Sequence, residues 1–162
     1  MYQKIMVPLD GSELAECVLP HVEAIGRGCQ VEEVVFLSVV EPVYLPVGTL
    51  SDGVDVFTEV EAERMRKGAE AVSKSEAENY LAKVVSRVKL DKVKVQTQVI
   101  NGNAAESLAD YATSNNVDLI IIATHGRSGV SRWVWGSVAD RVLRSACVPV
   151  LMVRGPGCVP GI

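Results

Sequence analysis

Residues 4–40, KIMVPLDGSELAECVLPHVEAIGRGCQVEEVVFLSVV, set two apolar runs on either side of a helical pattern. Lys4–Leu9 is a short apolar run that stops at the turn residues Asp10-Gly11-Ser12, and Val34–Val40 is a second continuous apolar run. Runs of that length bounded by turn residues predict buried strands. Between them Leu14, Val18, Leu19, Val22 and Ile25 recur at helical spacing from Ser12 onward. Glu13 and Glu16 stand at the end the helix dipole favours, and Gly26 and Gly28 act as the stop. Pro20, inside this pattern, removes a backbone donor and predicts a kink. Two apolar strands joined by a helix predict a parallel sheet covered on both faces.

Residues 41–58 hold Pro42, Pro46, Gly48 and Gly53 and read as an irregular excursion. A long helix follows from about Thr58 to Val88. Its last part is amphipathic through Ala77, Leu81, Val84, Val85 and Val88, whereas the charged and Ala-rich stretch 59–74 is expected to project beyond the core. Val93–Ile100 alternates as a strand near an edge does. Asn103 caps a helix over Ala104–Ser114, with Leu108 and Tyr111 inward, and Asn115-Asn116 ends it. Val117–Ala123 (VDLIIIA) is the most apolar strand and is expected to be central. A Gly- and Ser-rich loop then leads to a helix over Ser137–Arg144 and a last strand, Val148–Val153, in which Pro149 favours an edge. The order β-α-β-α-β-α-β-α-β predicts one α/β domain, residues 1–154, with a short tail over 155–162. Its architecture is a single doubly wound, five-stranded parallel sheet sandwiched by helices.

Composition agrees with a self-sufficient core. The 162 residues are 48% hydrophobic and only 5% aromatic, which suits aliphatic strands and excludes bulk disorder. The net charge of −4 speaks against generic nucleic-acid binding. It is unevenly spread: residues 1–123 hold 11 Lys and Arg against 19 Asp and Glu, whereas residues 124–162 hold five Arg against Asp140 alone. The last quarter is therefore the expected home of an anion. No secretory signal is visible and the longest apolar run, Leu119–Ala123, is far below the ~20 residues a membrane span needs. A cytoplasmic protein without a membrane partner is the expectation. Four scattered cysteines lack metal-ligand spacing. Cys17, Cys29 and Cys147 read as buried or half-buried hydrophobes, and Cys158 as the exposed one.

Ligands of open parallel sheets bind beyond the carboxyl ends of the strands. Three such ends carry polar or turn residues: Pro8–Ser12, Ser38–Val40 and Ala123–Gly129. The third is the richest. Gly126 and Gly129 permit close backbone approach, Thr124, Ser128, Ser131 and Ser137 offer hydroxyls, and Gly136-Ser137 opens a helix whose free N–H groups favour an anion. Neither GxxxxGK[ST] nor GxGxxG is present.

From the strand end, the segment reads Ala123-x-x-Gly126, nine residues, then Gly136-Ser137. This resembles the signature G-x-x-G-(nine residues)-G-[ST] of the ATP-binding branch of the universal stress protein family. The likeness extends over nearly the whole chain, through Ile5–Glu13, Leu37–Glu41 and Cys147–Val153. The resemblance implies a Rossmann-like fold of the adenine nucleotide alpha hydrolase kind. It also implies that Asp10 reaches the ribose or adenine side and that Pro8 and Val39 line the adenine pocket. Ala123, Thr124, His125, Gly126, Arg127, Ser128 and Gly129, with Gly136, Ser137, Val138 and Ala139, would hold ribose and phosphates. ATP or another adenine nucleotide is the implied ligand, with Mg²⁺ or Mn²⁺ on its phosphates and no dedicated protein cage. Ala123 departs from the signature's Gly by one methyl, and ATP binding is expected to survive.

Each residue also has a plainer role open to it. Asp10 could cap the approach to the first helix, His125 could fix backbone, and Arg127 and Arg132 could clamp phosphate or be solvated. Trp133 and Trp135 could pack under the loop or in a subunit contact. No catalytic residue stands out: there is no Walker-type lysine, and Asp140 is the only acid after the loop. The first functional reading is an ATP-dependent switch or stress-response module. A slow ATPase or self-phosphorylating protein is the second, and a nucleotide-independent dimeric interaction protein the third. The family resemblance and the edge character of Val148–Val153 both point to a homodimer through the last strand.

Overall fold

The computed structural model describes residues 2–49, 55–124 and 137–155. Five parallel strands form the main sheet: β1 (Lys4–Pro8), β2 (Glu33–Val40), β5 (Lys94–Asn101), β6 (Leu119–Thr124) and β7 (Val150–Arg154), in the spatial order β5-β2-β1-β6-β7. The helices are α1 (Leu19–Gly28), α2 (Glu59–Val85), α3 (Ala104–Ser114) and α4 (Ser137–Ser145). Successive strand residues face opposite ways, so each apolar run feeds two cores. Ile5, Val7, Leu119 and Ile121 pack with Val18, Val22, Leu81 and Val84 under α1 and α2. Met6, Ile120 and Ile122 pack with Leu108, Ala112 and Val142 under α3 and α4. The doubly wound parallel sheet is thus as the apolar runs predict, and the alternating β5 and the Pro149-led β7 lie at its two edges. Among the described residues no helix is long and apolar enough to cross a membrane.

Several local expectations change. The first helix is two pieces, a 3-10 turn (Ala15–Val18) followed by α1. Pro20 falls in the first turn of α1, where its missing N–H has no intrahelical partner to lose, so it helps to start a helix and does not kink one. Gly26 is a packing residue inside α1: a Cβ there would stand 2.5 Å from Leu90 Cδ2. The chain turns instead through Gln30, at φ 54°. β6 is interior, and β1 takes the middle position. The excursion contains a short antiparallel pair, β3 (Gly48–Thr49) with β4 (Asp55–Phe57). Cys147 is exposed, while Cys17 and Cys29 are half-buried; Cys158 lies outside the described residues.

α2 illustrates how a weakly amphipathic segment is still helical. Thr58 and Glu61 form a reciprocal capping box: the Thr58 hydroxyl accepts from the Glu61 N–H, and Glu61 Oε2 accepts from the Thr58 N–H at 3.0 Å. Its first half is mostly exposed, Val60 and Met65 included, but Ala62 is buried there, and its last turns bury Leu81 and Val84. At the amino ends of the strands, Asp118 Oδ2 accepts from the N–H groups of Gln3 and Lys4 at 2.8 Å each, tying β6 to the start of β1.

Candidate functional site

The chain runs β1, β2, β5 toward one edge, then crosses back to β6 and β7 on the other side of β1. Strand order therefore reverses between β1 and β6, the place where an open α/β sheet forms a crevice at its carboxyl end. The ladder between these strands is short, pairing Ile5 with Leu119 and Met6 with Ile120, while β6 stays paired with β7 as far as Thr124. At that crevice lies a cavity of about 190 Å³. Pro8, Leu9, Leu37, Val39, Ile122 and Ala123 supply apolar walls from three strand ends, Ala104 and Leu108 come from α3, and Val138 and Ala139 from the first turn of α4.

The β1 end is shaped by one turn. Leu9 N–H donates to the Leu37 carbonyl at 2.8 Å, carrying the chain one residue past the strand. Gly11 then takes φ +87°, a left-handed geometry that glycine adopts without a Cβ penalty. Asp10 Oδ1 accepts from the Ser12 N–H at 2.9 Å and from the Ser12 hydroxyl at 2.6 Å, and Ser12 Oγ in turn accepts from the Ala15 N–H at 3.1 Å. Asp10 thus braces the turn and lines the cavity at the same time, so its capping and ligand roles are compatible. The positive ends of the α3 and α4 dipoles both lie at the cavity. At the end of β6, the Thr124 hydroxyl is buried without a hydrogen-bond partner among the described residues. A buried, unpaired hydroxyl is costly, and it marks the place where the chain enters the Gly-rich loop.

Behind the turn, α2 brings up Tyr80. Its hydroxyl is buried beside Glu16 without reaching hydrogen-bond geometry to any described residue. Burial, followed by the Glu16 and Asp10 carboxylates, pushes its pKa well above the ordinary phenol value, so it stays protonated. Arg87 holds Glu16 at 2.9 Å.

Two of the arginines of the basic last quarter are held in ion pairs. Arg144 pairs with Asp140 at 2.9 Å, whose hydrogen bond and charge raise the guanidinium pKa, and Arg141 pairs with Glu106 at 3.2 Å. Both pairs are on the surface, and neither Arg lines the cavity. Charge counting sees residues and misses their partners. Among the described residues no group of three or more His, Cys, Asp or Glu side chains is placed to hold a metal ion.

Of the residues singled out in the sequence, Pro8, Asp10, Val39, Ala123, Val138 and Ala139 come together on the cavity wall. Thr124 is buried at the end of β6, and Ser137 begins α4. His125, Gly126, Arg127, Ser128, Gly129 and Gly136, with Arg132, Trp133 and Trp135, lie outside the described residues. The other lining residues were not named as site residues from the sequence: Leu9, Ser12, Leu14 and Ala15 around the first turn, Leu37 and Ile122 on β2 and β6, and Ala104 and Leu108 on α3. Ala104 and Leu108 are one turn apart immediately after the Asn103 cap, the signal by which a helix start facing the crevice was detectable.

Comparison with known proteins follows the same outline. The profile of the universal stress protein family matches residues 1–154. Universal stress protein MJ0531 of Methanocaldococcus jannaschii is 30% identical over 158 residues, spanning 96% of this chain and 84% of that protein. Universal stress protein MJ0577 of the same organism is 30% identical over 164 residues, spanning 95% and 96%. The solved structure of MJ0577 superposes with a TM-score of 0.73 at 28% identity, covering 95% of this chain and 96% of that one. Two more distant structures share the fold: a universal stress protein in complex with cAMP (TM-score 0.60, 16% identity, 94% and 97% covered) and an Arabidopsis thaliana family protein with AMP bound (TM-score 0.56, 14% identity, 96% and 93% covered). With its profile match, its close relatives and its five-stranded parallel sheet in agreement, the chain belongs to the universal stress protein family.

Proposed function

We propose that this chain is an ATP-binding member of the family and works as a nucleotide-dependent switch. The observation that carries the reading is the cavity at the strand-order reversal, where Pro8, Val39 and Ala123 offer apolar walls and Asp10 the one acidic group among the described lining residues. Apolar walls with few polar groups suit a purine base and ribose. The described walls enclose about 190 Å³, less than the ~300 Å³ at which ligand pockets usually start. They account for the nucleoside part, and the phosphates belong with the loop. The spacing Ala123-x-x-Gly126, nine residues, Gly136-Ser137 supports placing the phosphates over the loop and the first turn of α4. The buried Thr124 hydroxyl supports a polar partner there. Relatives of the same fold that bind cAMP and AMP favour an adenine nucleotide.

In this reading Mg²⁺ or Mn²⁺, when present, neutralises phosphate charge and rides on the nucleotide. Asp10 is committed to the turn through Oδ1, which favours holding the ligand over activating water. The edge position of β7, with Leu151 exposed on it, supports pairing with a second copy of this chain as the output surface. Isothermal titration with ATP, ADP and AMP at millimolar concentration and in the presence of Mg²⁺ tests the proposal. A saturable heat with at least one of them is expected, and silence with all three overturns it.

A further inference from the structure

We infer that Gly155, the residue that follows β7, is a positioning residue for the cavity. This rests on the reading of the cavity as a nucleoside site. Gly155 is buried, and its N–H donates to the Thr124 carbonyl at 3.2 Å, extending the β6–β7 ladder one step past Arg154. Its missing side chain is occupied by Leu14: a Cβ on Gly155 would lie 2.0 Å from Leu14 Cδ1 and 3.4 Å from its Cγ. Leu14 belongs to the turn that Asp10 and Ser12 brace, and it lines the cavity. One glycine therefore touches two parts of the site. Its backbone fixes the carbonyl from which the Gly-rich loop departs, and its bare Cα lets Leu14 lie back as a wall.

The space is the whole of the requirement. Gly155 does not take a left-handed φ, so an alanine there is conformationally permitted and the obstacle is the end of one flexible side chain. A Gly155→Ala protein is thus expected to fold while Leu14 is pushed toward the cavity that it lines. Because β7 is the edge strand, the same contact carries any displacement of that edge to the cavity wall.

The experiment is a double-mutant cycle on the full chain, read by nucleotide affinity and by thermal melting without nucleotide. Gly155→Ala is expected to weaken ATP and AMP binding by roughly tenfold or more, as misfit of a single carbon group does in an apolar pocket. Leu14→Ala in the Gly155→Ala background is expected to restore affinity to within a few-fold of the parent, because the displaced side chain is gone. A Gly155→Ala protein with parental affinity overturns the inference, and so does a loss that Leu14→Ala does not relieve. If Gly155→Ala fails to fold, Leu14→Phe takes its place: it crowds the same wall from the other side, and parental affinity in that variant overturns the inference. A parent protein that binds no adenine nucleotide sinks the nucleotide reading itself, a result distinct from these.

Discussion

Val39→Trp is expected to abolish measurable adenine-nucleotide binding at ordinary concentrations while leaving the protein folded. Val39 is half-buried near the carboxyl end of β2, in register with Ile100 of β5, and its side chain faces the cavity. A single surplus methylene in an apolar pocket costs about 10–200-fold. An indole that fills the space of the base should cost about 200-fold or more. The fold tolerates it because the new ring enters open space and not the packed layer below, where overpacking costs about 1–3 kcal/mol. Calorimetry together with a thermal melt checks both halves. Parental affinity in a folded Val39→Trp protein places the nucleotide elsewhere.

The second large effect is on stability. Ile121 is fully buried on the interior strand β6, pairs in register with Leu151, and packs into the core beneath α1 and α2. Ile121→Ala leaves a cavity that close-packed neighbours cannot refill, at a cost of about 2–5 kcal/mol. Against a total stability of about 5–15 kcal/mol this is a large fraction. The melting temperature should fall by roughly 10 °C, at about 2–4 °C per kcal/mol for a domain of this size. Val60→Ala, at a position 78% exposed on the projecting half of α2, should stay within about 0.5 kcal/mol of the parent. Equal effects at the two positions would mean that β6 is not the interior strand described. The comparison matters for the site, because β6 delivers Ala123 and Thr124 to the crevice.

Much of this architecture is legible in one sequence because the strands are apolar on both faces. KIMVPL, VVFLSVV and VDLIIIA have no polar side to hide, and such runs survive in few folds other than a covered parallel sheet. Edge placement was equally readable, from the alternation in Val93–Ile100 and from Pro149. Strand order was not: β1 and β6 are similarly apolar, and only three-dimensional pairing puts β1 in the middle. Pro20 was misplaced for a related reason. Proline breaks the interior of a helix but is welcome in its first turn, and the helical spacing begins at Leu14, five residues before α1 does.

The site divides along the same line. Sheet topology directs ligands to the strand ends Pro8–Ser12, Ser38–Val40 and Ala123–Gly129, and within them the family resemblance singles out Pro8, Asp10, Val39 and Ala123. Leu14 could not be named, since its presence at the cavity depends on how the turn after β1 folds back over the crevice. Nor does sequence show that Gly155 and Leu14 touch, being far apart in the chain. Charge counting failed at Arg141 and Arg144, whose acidic partners Glu106 and Asp140 neutralise them at the surface. The anion site proposed here rests on backbone N–H groups, hydroxyls and a loop spacing, and not on net charge.

Every ligand effect above requires an adenine nucleotide to occupy the crevice between β1 and β6. The direct measurement is titration of uniformly ¹⁵N-labelled protein with ATP, followed residue by residue through its amide resonances. Saturable shifts are expected, concentrated at Leu9–Ser12, Val39–Val40, Ala123–Thr124 and Val138–Ala139, with Lys4, Glu33, Lys94 and Asp118 at the amino ends of the strands unmoved. Shifts gathered at those amino ends, or no shifts up to millimolar ATP, would contradict that occupancy.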